Sequence, residues 1–235
     1  MALLALSIAP GLAICIYIFL KDIYNKEPKW LLFASFLLGV LTIIPPFIIE
    51  TGLKPLFNNG ILHTGIFAFG VVALSEELSK FLVLRTFCYT RKSFDEPLDG
   101  IVYSVMVSMG FATIENISYV FIYGYKAVFI RMFLSVPAHA TFAILMGYFV
   151  GKAKFDRANS FRYLLTGLFW AVFFHGAFDY FLFLQESPEV KKYISDGLLF
   201  AGALASFIVA IRLSRKQIRI HQQLSKQLFN NDQHV

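Results

Sequence analysis

Leu74-Ser75-Glu76-Glu77-Leu78-Ser79-Lys80 sits in the middle of an apolar run that begins near Ile61, reaches about Cys88 and is long enough to cross a bilayer. A charged residue at the centre of a spanning helix costs roughly 2.5 to 3.5 kcal/mol on insertion scales, so two carboxylates and an ammonium there need partners, water or a purpose. Lys80 follows Glu76 by four residues and Glu77 by three, neighbouring positions on one helix surface. A plain ion pair is the competing explanation, but it uses one carboxylate and strands the other. The heptapeptide is therefore read first as a functional site.

Working outward, the rest of the chain has the same solvent. Of 235 residues, 57% are hydrophobic and only 15% charged, with a mean hydropathy of +0.65, far from the roughly 25% charged residues of an average soluble protein. Apolar runs of spanning length occur near Ala2 to Leu20, Trp30 to Glu50, Ile61 to Arg85, Gly100 to Tyr123, Val128 to Val150, Tyr163 to Leu184 and Ile194 to Ile211. The strict alternation of an outer-membrane barrel is absent. The expectation is an all-α, polytopic transmembrane bundle of about seven spans, residues 1–211, followed by a basic tail, 212–235.

The formal charge of +6 follows the membrane rather than any nucleic-acid surface. Basic residues crowd the first, third and fifth loops (Lys21, Lys26 and Lys29; Arg85, Arg91 and Lys92; Lys152, Lys154, Arg157 and Arg162) and the tail, whereas the alternate loops are poor in them. The positive-inside rule then puts the N-terminus outside and the C-terminus in the cytoplasm of a cell-membrane protein whose environment is the lipid bilayer. Cys15 and Cys88 imply no disulfide framework. No basic region precedes the first apolar run, so that span is expected to remain.

Other spans carry polar groups too. Pro45-Pro46 removes two backbone donors and should kink or break the second, with Glu50 at its outer boundary. Asp99 is placed as an N-cap for the fourth, along which Ser104, Ser108 and Ala112 form a small-residue stripe that aims Glu115 inward; Glu115-Asn116 also suits an interhelical hydrogen-bonding pair. His139 follows Pro137 in the fifth, where it is either a site residue or a donor to a carbonyl. In the sixth, Gly167, Ala171, His175 and Asp179 share one i, i+4 stripe, so Asp179 can fix the tautomer of His175. The seventh looks like packing, and the tail reads as a solvated, membrane-surface anchor.

Glu76, Glu77, Lys80, Glu115, His139, His175 and Asp179 together are acid/base equipment: an ionised glutamate can take a proton from water, and an imidazole can donate to the oxyanion that forms on a peptide carbonyl. No Gly-x-Ser-x-Gly, His-Glu-x-x-His or Gly-x-Gly-Asp element is present. A metal held by scattered His, Glu and Asp is the minority mechanism. A non-catalytic scaffold or a small proton-coupled transporter is the rival from another class, although no related halves are visible.

Glu76-Glu77-x-x-Lys80, Phe111-x-x-x-Glu115 and His175-x-x-x-Asp179, with Pro137-x-His139 between them, resemble the PrsW family of intramembrane proteases. Ala9-Pro10-Gly11, the stretch from Tyr24 to Pro28 and Asp99-Gly100-Ile101-Val102-Tyr103 also match its pattern, so the resemblance covers most of the chain. The family is similar in turn to type II CaaX prenyl endopeptidases and related CPBP proteins, with lysine here in place of an arginine and Glu115 in place of a histidine. The resemblance implies a glutamate-dependent, metal-independent endopeptidase with no cofactor. It implies site-1 cleavage of a single-pass membrane substrate, an anti-sigma factor, in a stress response. Glu76, Glu77, His175, Glu115, His139 and Asp179 are the expected catalytic set, with Lys80 supporting.

Overall fold

The computed structural model describes residues 2–232, and every long element among them is helical, with no β-strand. That is what lipid demands of a spanning backbone that must satisfy its own hydrogen bonds. Six helical stretches are long and apolar enough to cross a membrane: Ala2–Lys21, Lys29–Leu56, Pro97–Tyr123, Phe129–Phe155, Arg157–Glu186 and Asp196–Asn230.

The run around the heptapeptide is not among those six. It is an unbroken helical path from Ile61 to Cys88 in which α4 (Ile61–Gly65) and α5 (Leu74–Val83) alternate with wider, π-type turns over Ile66–Ala73 and Leu84–Cys88. At about 1.5 Å per residue its 61–88 length approaches 40 Å, enough for a bilayer core of about 30 Å. Its polarity is inverted relative to a soluble helix. Ser75, Glu76, Glu77 and Lys80 are buried, while Leu74, Leu78 and Leu82 face outward. Wide turns of this kind recur at functional sites because they rotate the residues that follow relative to a regular ladder.

The first two helices are α1 (Ala2–Lys21) and α2 (Lys29–Leu41). The second apolar run is broken rather than merely kinked. After α2, Thr42 turns its hydroxyl back to the Gly39 carbonyl at 2.6 Å, and α3 (Ile44–Leu53) begins with Pro45 and Pro46 in its first turn, where their missing N–H groups cost nothing. Then come α6 (Pro97–Tyr123), α7 (Tyr125–Phe133), α8 (Ser135–Phe155), α9 (Ser160–Phe183) and α10 (Asp196–Asp232).

The centre of the bundle is α6, buried on all sides from Pro97 to Thr113 and packed against α8, α2 and α1. Small residues permit this. A side chain at Gly100 would strike the backbone of Gly147 and Gly151, and one at Gly110 would strike the Phe36 carbonyl on α2. With no hydrophobic drive between helices in lipid, such close backbone approach supplies the packing. The tail continues α10 past the apolar segment and lays one face on the bundle, with Ser214, Ile218, His221 and Ser225 buried along it and His221 stacked on Tyr148 at 4.4 Å. Gln222 donates to the Lys21 carbonyl at 2.8 Å, so α10 also fastens the end of α1.

Asp99 is not the N-cap of α6. Glu96 holds that position, and Asp99, three residues on, accepts from the backbone N–H groups of Asp95 and Glu96 at 2.8 and 2.7 Å. Nearby, the carboxyls of Asp22 and Glu27, in the α1–α2 connection, are buried in the neighbourhood of those of Glu96 and Asp99, and Tyr103 donates its hydroxyl to Glu27. Cys15 and Cys88 are buried and free.

Candidate active site

Three helices converge on α5. Glu76, Glu77 and Lys80 come from α5, Glu115 from α6, His139 from α8, and His175 with Asp179 from α9. Each helix arrives by a seam of small residues. Ser108 of α6 donates to the His139 carbonyl at 3.1 Å, and Gly167 and Gly176 let α9 close against α8 and Phe69. Glu76, Glu77, Lys80, His139 and His175 are buried, whereas Glu115 and Asp179 keep partial exposure at the rim.

Lys80 is the hub. Its Nζ donates to Glu77 Oε1 at 2.8 Å and Glu76 Oε2 at 3.1 Å, lies 3.4 Å from His139 Nδ1, and sits over the Phe111 ring at 3.8 Å. The expectation that an ion pair would strand one glutamate is thus corrected: one ammonium, with three donors, reaches both. Glu77 Oε1 also takes His175 Nδ1 at 2.8 Å, and the second oxygen, Oε2, is buried with no partner. Asp179 Oδ2 lies 3.1 Å from His175 Nε2. With ionised carboxylates at both ring nitrogens, the doubly protonated imidazole donates to each. The ring stacks on Phe142 and stands edge-on to His139, which fixes its plane.

Glu115 is held from two sides. His139 Nε2 lies 3.0 Å from its Oε2, and Arg131 Nη2 lies 2.6 Å from the same oxygen while Arg131 Nε donates to Asn116. Arg131, a basic residue at the start of the fifth apolar run, is buried and joins the site. Glu50, expected at the membrane boundary, turns inward from α3 to within Coulombic reach of Glu76, Glu115, His175 and Asp179. The signal for both was present, since Glu50 and Arg131 fall inside apolar runs and an ionisable group there asks the question that Glu76 asks.

Metal binding can be tested on the donors. Among the described residues, Glu76, Glu77, His139 and His175 offer ligand atoms all within 4.8 Å of one another, and their oxygen and imidazole chemistry suits zinc. Three of those four residues, however, already face the Lys80 ammonium. A dication at their focus would lie against that ammonium, so the set does not fit a metal while Lys80 occupies its place.

Similarity to known proteins points one way. A family model described as PrsW family intramembrane metalloprotease matches residues 27–216. Protease PrsW of Geobacillus kaustophilus is 40% identical over 186 residues, 79% of this chain and 81% of that protein. Protease PrsW of Bacillus subtilis is 37% identical over 184 residues, 77% and 83% of the two chains, and that of Clostridioides difficile 36% over 191, 78% and 80%. No solved structure matches.

Proposed function

The chain belongs to the PrsW family of intramembrane proteases, and on that premise we propose that it is a multi-pass, glutamate-dependent endopeptidase that cuts a single-pass membrane substrate without a metal. The observation that carries this reading is Glu77: one oxygen is fixed by Lys80 and His175, and the other is buried and unpartnered. In the proposed step, Glu77 Oε2 takes a proton from water as the water oxygen attacks the scissile carbonyl. Lys80 keeps the two adjacent glutamates charged and oriented. The N–H that His175 gives to Asp179 at rest turns to the oxyanion, and the proton held on Glu77 then goes to the leaving amine as the C–N bond breaks. His139, Glu115 and Arg131 form the far wall, where they hold Lys80 in place through Nδ1 of His139.

The family description includes the word metalloprotease, and the placement of Lys80 supports the other mechanism. An anti-sigma factor is the substrate class we propose, with the N-terminus outside and the C-terminus cytoplasmic. The decisive experiment is reconstitution with candidate single-pass substrates, with and without a chelator. Glu76→Gln, Glu77→Gln and His175→Ala proteins should insert normally and lose cleavage, while the wild type keeps it in chelator. Retained cleavage in all three variants overturns the site, and loss on chelation restored by zinc overturns the metal-free mechanism.

A further inference from the structure

Helix α3 is exposed along most of its length, with only Pro46 buried. Glu50 lies one turn after Pro46 and shares its inward face, half-buried, with Oε1 shielded from solvent and without a hydrogen-bond partner. The charges of Glu76, Glu115, His175 and Asp179 act on it, which places its carboxylate at the edge of the site rather than in the lipid. An acidic group on an otherwise apolar, lipid-facing helix is costly unless it serves something inside the bundle.

We propose that Glu50 is a substrate-positioning residue whose inward oxygen accepts a hydrogen bond from a backbone N–H of the substrate segment as that segment unwinds beside Glu77. The inference rests on the protease reading above. A peptide bond can be attacked only in an extended segment, and unwinding within a membrane frees N–H groups that have no water to bond. The site must therefore offer acceptors, and one oxygen of each of its carboxylates is already taken: Glu76 Oε2 and Glu77 Oε1 by Lys80, Glu115 Oε2 by His139 and Arg131, and Asp179 Oδ2 by His175. Two carboxylate oxygens beside the site are buried without partners, Glu77 Oε2 and Glu50 Oε1. The first is committed to water in the proposed step, and the second is a water-shielded acceptor open to the chain. Glu50 lies one helical turn after Pro46 on a helix that packs against α5, so a substrate segment entering between α3 and α5 would meet it.

An acceptor role differs from an acid/base role in what glutamine does. The probe is a single-pass membrane protein with a Gly-Pro pair at the outer end of its span, reconstituted with the protease in liposomes. Glu50→Leu, which removes the acceptor from a lipid-facing helix without disturbing insertion, should raise KM about tenfold with little change in kcat, the effect of one lost hydrogen bond. Glu50→Gln, which keeps a carbonyl oxygen, should recover most of that affinity. In a Glu77→Gln background that does not turn over, capture of the uncut probe should weaken with Glu50→Leu and recover with Glu50→Gln. Equal KM and capture for Glu50→Leu and the parent overturn the proposal, and so does a Glu50→Gln protein as defective as Glu50→Leu. Failure of the protease reading shows separately, as a parent protein that captures the probe but never cuts it, and cleavage by Glu77→Gln shows that Glu77 is not the base.

Discussion

Lys80 does two jobs at one position, neutralising Glu76 and Glu77 and standing where a metal would have to stand. Removing one partner of a buried ion pair costs about 3–5 kcal/mol because the other charge is left uncompensated. Lys80→Met should therefore lower the thermal midpoint in detergent and cut the cleavage rate on the order of a hundredfold or more. The same change opens the four-donor cage. Lys80→Ala protein should take up zinc with a rise in thermal midpoint, while wild type should not respond; stoichiometric zinc on wild type would show that the ammonium is not the resident cation. The identity of these residues was legible because ionisable groups in an apolar run are rare enough to count. Their partnerships were not. That Lys80 reaches His139, or that Arg131 rather than Asn116 holds Glu115, depends on how α7 folds back against α6, and no spacing within one helix encodes a contact between two.

At the level of elements, the N-terminal end of α6 is fastened by two different chemistries. Its contact with α8 is backbone on backbone at Gly100 and Gly147, so Gly147→Val should abolish accumulation of folded protein, whereas Gly197→Ala, with open space around it, should not; comparable yields of the two would refute the seam. The small-residue pattern announced this contact, as it did the α9 stripe. The same end is also held by Asp22, Glu27, Glu96 and Asp99, a cluster hidden from sequence reading because its members lie far apart in the chain and look like ordinary loop acids. Burial pushes Glu27 up to about 7 and Glu96 up to about 8, and raises Asp22. Unfolded, a glutamate titrates near 4.3. Between roughly pH 4.3 and 8 the native protein thus holds protons that the unfolded chain has released, and stability falls as pH rises through that window. Thermal midpoints should drop from pH 5 to pH 9, and the Glu27→Gln/Glu96→Gln double variant should flatten the profile; a midpoint climbing with pH would contradict the cluster.

For the whole molecule, the placement of the site along the membrane normal is the property that decides what it can cut. The apolar runs foretold a helical bundle, but the break at Thr42–Ile43 and the wide turns around α5 come from local backbone geometry that composition does not specify. In the proposed topology, helices α6 and α9 run outward and α8 runs inward. Counting about 1.5 Å per residue from the outer boundaries puts Glu115 roughly 10 Å in, His175 roughly 14 Å, His139 roughly 17 Å and Glu76 roughly 15 to 20 Å. Against a core of about 30 Å, every member lies in the outer half or near the midplane. The polar rim agrees with this. Glu115 and Asp179 are the partly exposed members of the cluster, Arg131 beside them comes from α7, and Glu50 comes from α3, so the wettable side of the site is the side on which the α6–α8 connection lies. Water and substrate should enter from there, and the cut should fall in or just beyond the outer end of the substrate's span. Sequencing the new N-terminus of the product by mass spectrometry checks this, together with protease accessibility of tags on the two ends of the enzyme. A scissile bond on the cytoplasmic side of the substrate's membrane segment would invert the topology and remove the ground for site-1 cleavage.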